Sequence, residues 1–393
     1  MKYSSPIAVT LGAIVGFIGC CILGHSSARK SFYKNFLRLH PFLEQETSYY
    51  PTASQLAAVA RGQCPPATHK TLVILGGNSV FNGSGQKRDE LWSRALQSEL
   101  GDSFQVVNFS APGAGAVDNG GVLFEILSRE YPGALFVTNT EPGYYSPANR
   151  TAYSYLFWDA YYKGLLLDDA PRAARLAGEK QERGDQEFRL GRRLNSLLYF
   201  NDLWTYVSYR YVSTVWTSWL KERSFRPRGK LRDWYDKRPA VVTGESEFQK
   251  MLPDHLEALR HRRAVAPERF QQNSDGSWVQ SVESLKQDRE QIAELLPAPL
   301  QRRSLIVLTP FNPWFLARLT DAERGRVALS FHNGTDLLEK GGFHVLSTAD
   351  RGFELTDFGD TVHLVPAGGR RLAHLVADAI RTMNAALNTP AAQ

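Results

Sequence analysis

Short apolar segments that alternate with amphipathic ones constrain the fold of this 393-residue chain more than any other feature. Five segments have the length and the aliphatic content of buried strands, namely residues 71–75, 104–108, 134–138, 304–308 and 342–346. Helical periodicity occurs between or after them, at about residues 88–100, 120–129 and 366–387. Strands that alternate with helices at this spacing predict a parallel sheet with helices on both faces.

The alternation stops in the middle of the chain. Residues 147–300 are rich in aromatic residues and arginines, with helical periodicity and few strand signals. The most apolar parts are residues 153–167 and 203–220. The simplest interpretation is one α/β domain over residues 70–393, interrupted by a large helical insertion at about 147–300. Residues 29–69 precede this domain as a predicted tether. The scattered Pro, Ser, Thr and Gln of residues 40–68 are typical of a tether or an irregular lead-in.

An apolar run without a charge extends from Pro6 to Gly24. At helical rise it nearly matches a hydrocarbon core of about 30 Å. Three interpretations are open. The length favours a retained membrane anchor over residues 1–28. A cleaved signal peptide is the second, with 26–28 as a small-residue cleavage site. A lipoprotein signal ending at Cys20 is the third, and it fits poorly because apolar residues continue beyond the cysteine.

The charges beside this run bear on its orientation. Arg29, Lys30, Lys34 and Arg38 follow it, whereas only Lys2 and the α-amino group precede it. The positive-inside tendency alone would place the following domain in the cytoplasm. The chemistry inferred below requires the opposite side, and we give it more weight. We therefore expect a single-pass membrane protein whose following domain lies outside the cytoplasm.

Composition excludes several classes of protein. The formal net charge of +6 suits an anionic polymer or lipid headgroups. Nucleic acid is not an expected partner, because the chain has neither zinc-finger spacing nor an aromatic-glycine RNA-binding signature. Of the three cysteines, two lie in the N-terminal apolar run and leave only Cys64 for the rest of the chain. A disulfide framework within one chain is therefore excluded, and no metal site based on cysteine is expected.

The candidate catalytic residues follow the predicted strands. In an open α/β sheet the active site lies outside the carboxyl ends of the strands. Ser79 follows the first strand, Gly113 lies in the loop after the second, and Asn139 follows the third. Asp360 and His363 come shortly before the last helix. Each residue alone has a commoner structural role as a cap or turn former. Their combined order and placement favour a catalytic site.

The residue types suit nucleophilic catalysis. The Ser79 hydroxyl would lie near helix amides, but it is inert at neutral pH without a base, which His363 can supply. Asp360, three residues before His363, can accept a hydrogen bond from the imidazole and fix its tautomer. Gly113 has no side chain, so its amide can approach a tetrahedral intermediate. Asn139 could add a side-chain amide donor.

Three motifs resemble those of the SGNH (GDSL-like) hydrolase superfamily: GGNS at 76–79, NFSAPG at 108–113 and DTVHLVPAGGRRLA at 360–373. The family usually has GDS in the first block and Gly-x-Asn-Asp in a further block, where this chain has Thr-Asn139-Thr-Glu. The resemblance covers about residues 70–145 and 300–390. It implies a three-layer parallel-sheet domain, a Ser79–His363–Asp360 triad and an oxyanion hole formed by the Ser79 and Gly113 amides with Asn139.

A narrower likeness is to the DltD proteins. The N-terminal span, the long helical insertion and a Pro-x-Asn turn at 310–312 before Trp314 are similar. DltD proteins work with a membrane-bound O-acyltransferase to place D-alanine esters on envelope polymers, and related SGNH proteins O-acetylate exopolysaccharides. The likeness implies a serine acyltransferase or esterase that needs no metal or organic cofactor. The implied partners are a membrane-bound O-acyltransferase and an anionic envelope polymer or polysaccharide. The implied location is the bacterial inner (cytoplasmic) membrane, with the catalytic domain extracytoplasmic.

Two alternatives stay open at this point. A catalytically inactive scaffold or polymer-binding protein would explain the altered blocks at 76–79 and around Asn139, although the surviving triad speaks against it. An aromatic stretch from Trp204 to Trp219, followed by a basic segment at 223–232, is the other open question. Either its aromatics pack on the main domain, or they meet a lipid interface or a membrane partner.

Overall fold

The computed structural model describes residues 6–30, 36–39, 51–148, 153–167, 186–207 and 245–389. Its described strands are β1 (Thr71–Leu75), β2 (Phe104–Asn108), β3 (Leu135–Thr140), β4 (Phe270–Gln272), β5 (Trp278–Gln280), β6 (Ser304–Leu308) and β7 (His344–Ser347). Five of them form one parallel sheet in the order β2-β1-β3-β6-β7, while β4 and β5 form an antiparallel hairpin. The prediction of an α/β chain with a parallel sheet is therefore confirmed.

The strand order explains where a site can form. Every residue of β3 and β6 is buried, as expected for strands covered on both faces. Leu75 at the end of β1 pairs with Asn108 of β2 on one side and with Val137 of β3 on the other. From β1 the chain moves outward to β2 and then returns past β1 to β3. Such a reversal leaves a crevice at the carboxyl ends of the two strands.

Helices cover both faces of the sheet. The described helices are α1 (Pro6–Ala28), α2 (Ala53–Gln63), α3 (Ser79–Asn82), α4 (Trp92–Leu100), α5 (Asn119–Leu127), α6 (Ser154–Tyr162), α7 (Gln186–Leu197), α8 (Phe200–Val207), α9 (Glu245–Arg260), α10 (Val282–Ala293), α11 (Ala298–Gln301), α12 (Pro313–Leu316), α13 (Asp321–Lys340) and α14 (Pro366–Asn388). On one face α4 packs against α14. Right-handed crossovers place α5 and α13 on the other.

Among the described residues, α1 alone is long and apolar enough to cross a membrane. A signal sequence near an N-terminus has the same length and composition. Nearly all side chains of α1 are exposed, and its buried residues, Gly24, Ser27 and Ala28, lie at its C-terminal end. Only this end of the helix is enclosed by the rest of the protein.

The predicted tether at 29–69 is wrong for two parts of that segment. Residues 53–63 form α2, whose Leu56 side chain lies in the core. A capping box between Thr52 and Gln55 starts this helix, and that short motif is the sequence signal for it. Residues 36–39 also pack into the core. Arg38 is buried there and donates to the carbonyl oxygens at the end of α3, so it is not a free juxtamembrane charge.

The described parts of the insertion are mainly helical, as its periodicity predicts. The hairpin of β4 and β5 was not predicted, because strands of three residues leave almost no pattern in a sequence. Residues 208–244 lie outside the described part of the chain. They include most of the predicted aromatic stretch and all of the basic segment at 223–232, so both stay predictions.

A close contact between α5 and the turn after β1 gives a stability test. A Cβ atom at Gly120 would collide with the backbone of Gly76. Gly120→Ala should therefore lower the free energy of unfolding by about 1–3 kcal/mol, the usual cost of overpacking. The control is Gly133→Ala, since a Cβ atom there meets open space. Denaturant unfolding of the purified full-length variants measures both. Equal stability of the two variants would contradict this packing.

Candidate active site

The turn between β1 and α3 presents Ser79. Gly77 adopts a φ of 98°, a left-handed conformation that favours glycine, and a Cβ atom there would collide with the side chain of Asn139. Ser79 is the first residue of α3, and Asn78 caps this helix by accepting the Val80 amide at 3.0 Å. Two constraints on the backbone therefore fix the position of the serine at the carboxyl edge of the sheet.

Ser79, His363 and Asp360 form a continuous chain of hydrogen bonds. The Ser79 Oγ atom lies 2.7 Å from His363 Nε2. The other ring nitrogen, Nδ1, lies 2.8 Å from Asp360 Oδ2. The second carboxylate oxygen accepts the backbone N–H groups of Val362, at 3.0 Å, and of His363, at 2.8 Å. The structure thus brings together the three residues that the sequence order singles out.

The charge state of Asp360 determines which atoms donate and which accept in these hydrogen bonds. Burial alone would raise the pKa of this carboxyl, but hydrogen bonds from the His363 ring and from two backbone amides hold it well below its usual value. Asp360 is therefore a carboxylate and can only accept hydrogen bonds. His363 must then donate through Nδ1, which leaves Nε2 of the neutral ring as the acceptor for the Ser79 hydroxyl. This is the arrangement of a general base beside a nucleophile.

Asn312 holds the backbone of the Asp360 segment. Its Nδ2 group donates to the carbonyl oxygen of Asp360 at 3.0 Å, and its backbone N–H donates to that of Thr361 at 2.9 Å. Its Oδ1 atom accepts the Trp314 amide and so caps α12. Asn312 is completely buried. The Pro-x-Asn turn is visible in the sequence, but its role emerges only from these contacts.

Asn139 binds the residue next to the nucleophile. Its Oδ1 atom accepts the backbone N–H of Asn78 at 3.0 Å, and its Nδ2 group donates to Asn78 Oδ1 at 2.8 Å. These two bonds hold the turn between β1 and α3 that carries Ser79. This positioning role of Asn139 was not predicted. Its predicted contribution to an oxyanion hole stays a prediction.

The same contacts explain the Asn at position 78. Its Oδ1 atom accepts from both Val80 and Asn139. A carboxylate oxygen at this position would accept the same two hydrogen bonds. An Asn at this position therefore supplies the same acceptor to the turn as an Asp would, without the negative charge.

Gly113 is the exposed residue of the otherwise mostly buried loop after β2, with a φ of 75° and open space around its Cα atom. The two loops are joined, because Ala111 donates its N–H to the Gly77 carbonyl at 3.0 Å. The backbone N–H groups of Ser79 and Gly113 donate no hydrogen bond to any other described residue. Both donors are therefore available to an oxyanion.

Tyr153 contacts the peptide group that carries the Gly113 amide. Its hydroxyl donates to the carbonyl oxygen of Pro112 at 2.7 Å. The C=O and N–H of one trans peptide point in opposite directions, so this bond also fixes the direction of the Gly113 N–H. Tyr153 was not predicted from the sequence, since it lies in the insertion far from the three motifs.

No protein-family model matches this chain, and no curated protein matches its sequence. The SGNH resemblance therefore depends on the short motifs at 76–79, 108–113 and 360–373. Among the described residues, no group of three or more His, Cys, Asp and Glu side chains could hold a metal ion. The geometry of Ser79, His363 and Asp360 can support nucleophilic catalysis, with the histidine as the base and the carboxylate as its orienting partner.

The Tyr153 contact predicts a measurable effect on the reactivity of the serine. Tyr153→Phe removes one hydrogen bond worth about 0.5–1.5 kcal/mol, so Ser79 should react about 2- to 10-fold more slowly with a fluorophosphonate probe. Tyr161→Phe is the matched control, because Tyr161 lies in α6, which Tyr153 directly precedes, and its ring stacks on Phe157. Equal labelling rates for the two variants would show that Tyr153 does not affect the orientation of the Gly113 amide.

Proposed function

We propose that this protein is a membrane-anchored serine acyltransferase or esterase that moves an acyl group, D-alanyl or acetyl, to or from a cell-envelope polymer. The observation that carries the proposal is the hydrogen-bond chain from Ser79 through His363 to Asp360. The strand order supports an SGNH-type domain, because GGNS at 76–79 follows β1 and Asn139 lies at the end of β3, on either side of one crevice.

The proposed mechanism is double displacement. His363 Nε2 takes the hydroxyl proton as Ser79 Oγ attacks the carbonyl carbon of an acyl ester or thioester. The N–H groups of Ser79 and Gly113 receive the negative oxygen of the tetrahedral intermediate. Asp360 stabilises the imidazolium that forms. The imidazolium then protonates the departing alcohol or thiol, which leaves an acyl-Ser79 ester.

The second displacement distinguishes transfer from hydrolysis. A sugar or polyol hydroxyl gives its proton to His363 and attacks the acyl-Ser79 carbonyl, and the collapse of the intermediate returns the proton to Ser79. Water in place of that hydroxyl makes the protein an esterase. The balance between the two outcomes depends on how well the acceptor site excludes water.

The location in the membrane rests on α1. A Cβ atom at Gly24 would lie 2.5 Å from the carbonyl oxygen of Tyr199, so the end of α1 packs tightly on the folded chain. A helix with a buried end is expected to be retained, which favours the anchor over a cleaved signal peptide. The buried Arg38 leaves fewer charges that favour a cytoplasmic domain. The first point supports retention in the membrane, here proposed to be the bacterial inner membrane, and the second supports a domain outside the cytoplasm.

The proposed partners follow from the resemblance to DltD proteins. A membrane-bound O-acyltransferase would supply the acyl group, and an anionic polymer or a polysaccharide would accept it. The basic net charge of +6 is compatible with an anionic acceptor. The alternative, an inactive scaffold of such an acylation complex, is weakened by the preserved hydrogen bonds of Asn78 and by the intact triad geometry.

Mass spectrometry of ester-linked acyl groups on envelope polymers tests the proposal in cells. Ser79→Ala should abolish one acyl species, because alanine has no hydroxyl with which to form the acyl-enzyme ester. Loss of D-alanine or of acetate would identify the group that is transferred, and a gain in esters would identify a hydrolase. Ser98→Ala is the control, since Ser98 is exposed on α4. An acyl profile unchanged by Ser79→Ala would contradict the proposal and favour the scaffold.

A further inference from the structure

Helix α8 packs along the apolar helix α1. The rings of Phe17 and Phe200 meet edge to face with centroids 5.7 Å apart. The rings of His25 and Tyr199 do the same at 4.8 Å. Near the end of α8, Lys30 Nζ lies 5.5 Å from the centroid of the Tyr206 ring. Helix α8 therefore follows the domain-facing half of α1.

These contacts indicate how deep α8 would lie in a bilayer that α1 spans. Gly24 ends the apolar run, and Phe17 lies one to two turns closer to the centre of the helix, roughly 10 Å at 1.5 Å per residue. If α1 spans a hydrocarbon core of about 30 Å, the level of Phe17 is well below the surface of that core. The ring of Phe200 reaches this level, whereas Tyr206 lies beside Lys30, outside the apolar run.

The outer surface of α7 and α8 matches such a position. Trp204 is 72% exposed, Leu194 is 45% exposed and Leu197 is 44% exposed. Tryptophan is favoured where an apolar phase meets water, because its ring is apolar and its N–H is a donor. Two exposed cations lie near this surface and suit lipid phosphates: Arg193 on α7, and Lys30, which follows the end of α1 and contacts the Tyr206 ring of α8.

A buried ion-pair cluster joins α8 to the α/β domain. The Lys163 side chain is completely buried and lies 2.6 Å from Asp202 of α8 and 3.0 Å from Asp159 of α6. Asp202 also accepts the hydroxyl of Thr52, the cap of α2, at 2.5 Å. Breaking a buried pair is costly, so α8 is held in one orientation relative to the domain. Contact between α8 and a bilayer would therefore fix the orientation of the whole domain.

We propose that Leu194, Leu197, Phe200 and Trp204 form a membrane-seating surface that inserts beside α1 into the boundary between lipid headgroups and acyl chains. Its partner is the lipid bilayer itself, because the surface is continuous with the helix that spans it. The proposal rests on the retained anchor in the proposed function. It assigns α7 and α8 the task of holding the domain at a set height and tilt, beside membrane-linked acyl donors or acceptors.

Depth-dependent fluorescence quenching of the full-length protein in nanodiscs of phosphatidylethanolamine and phosphatidylglycerol tests this surface. The three native cysteines are replaced by alanine, and single labels are placed through Trp204→Cys, Val15→Cys and Val282→Cys. Val15 lies in the middle of α1. Val282 is 78% exposed on α10 and serves as the aqueous control.

The label at 204 should lose most of its fluorescence to a nitroxide near the top of the acyl chain, since interfacial helices lie about 5–10 Å into this boundary. The label at 15 should respond most to a nitroxide near the chain end, and the label at 282 only to aqueous iodide. A label at 204 that behaves like the one at 282 overturns the proposal. So does a label at 204 protected from every quencher, because a protein would then cover the surface.

The label at 15 tests the membrane anchor separately from the membrane-seating surface. If the label at 15 is also quenched by iodide and not by lipid, the retained anchor fails and the seating surface fails with it. The catalytic assignment is independent of that result, because reaction of Ser79 with a fluorophosphonate reports on it directly. If the label at 15 lies in lipid and the label at 204 does not, only the seating surface is wrong.

Discussion

The hydrogen bond between Ser79 Oγ and His363 Nε2 joins two residues that are 284 positions apart in the chain. It forms only if the turn after β1 and the segment before α14 meet at one edge of the sheet. The strand order places that turn at the crevice beside β3, and Asn139 holds it there through two bonds to Asn78. Asn312 does the same for the Asp360 segment from the turn after β6. The candidate site thus depends on the whole sheet.

The parts of the fold that could be predicted are those with strong local patterns. The bounds of β1, β2 and β6 match the prediction to the residue, because continuous aliphatic runs are what a strand buried on both faces requires. Helix α2 could not be recognised by amphipathicity, since its alanines give little contrast between its two faces. The hairpin of β4 and β5 was missed for lack of length.

In the candidate site, too, some residues could be predicted from the sequence and others could not. The triad follows from the order of Ser79, Asp360 and His363 relative to the predicted strands. The supporting residues could not be assigned, because their roles are contacts across the fold. Asn139 and Asn78 are 61 positions apart, and Tyr153 lies 41 positions from the peptide group that it binds. A sequence displays residue types and spacing, whereas these roles depend on which loops the sheet brings together.

The most direct measurement is the pre-steady-state reaction of the purified full-length protein with p-nitrophenyl acetate, followed by mass spectrometry of the quenched protein. An acyl-enzyme mechanism predicts a burst of nitrophenolate stoichiometric with the protein and an acetyl group on the peptide that contains Ser79. Asp360→Asn should suppress the burst, because the imidazole then loses its orienting carboxylate. A burst that is absent in the unaltered protein, or an acetyl group on a different residue, would contradict the assignment of Ser79 as the nucleophile.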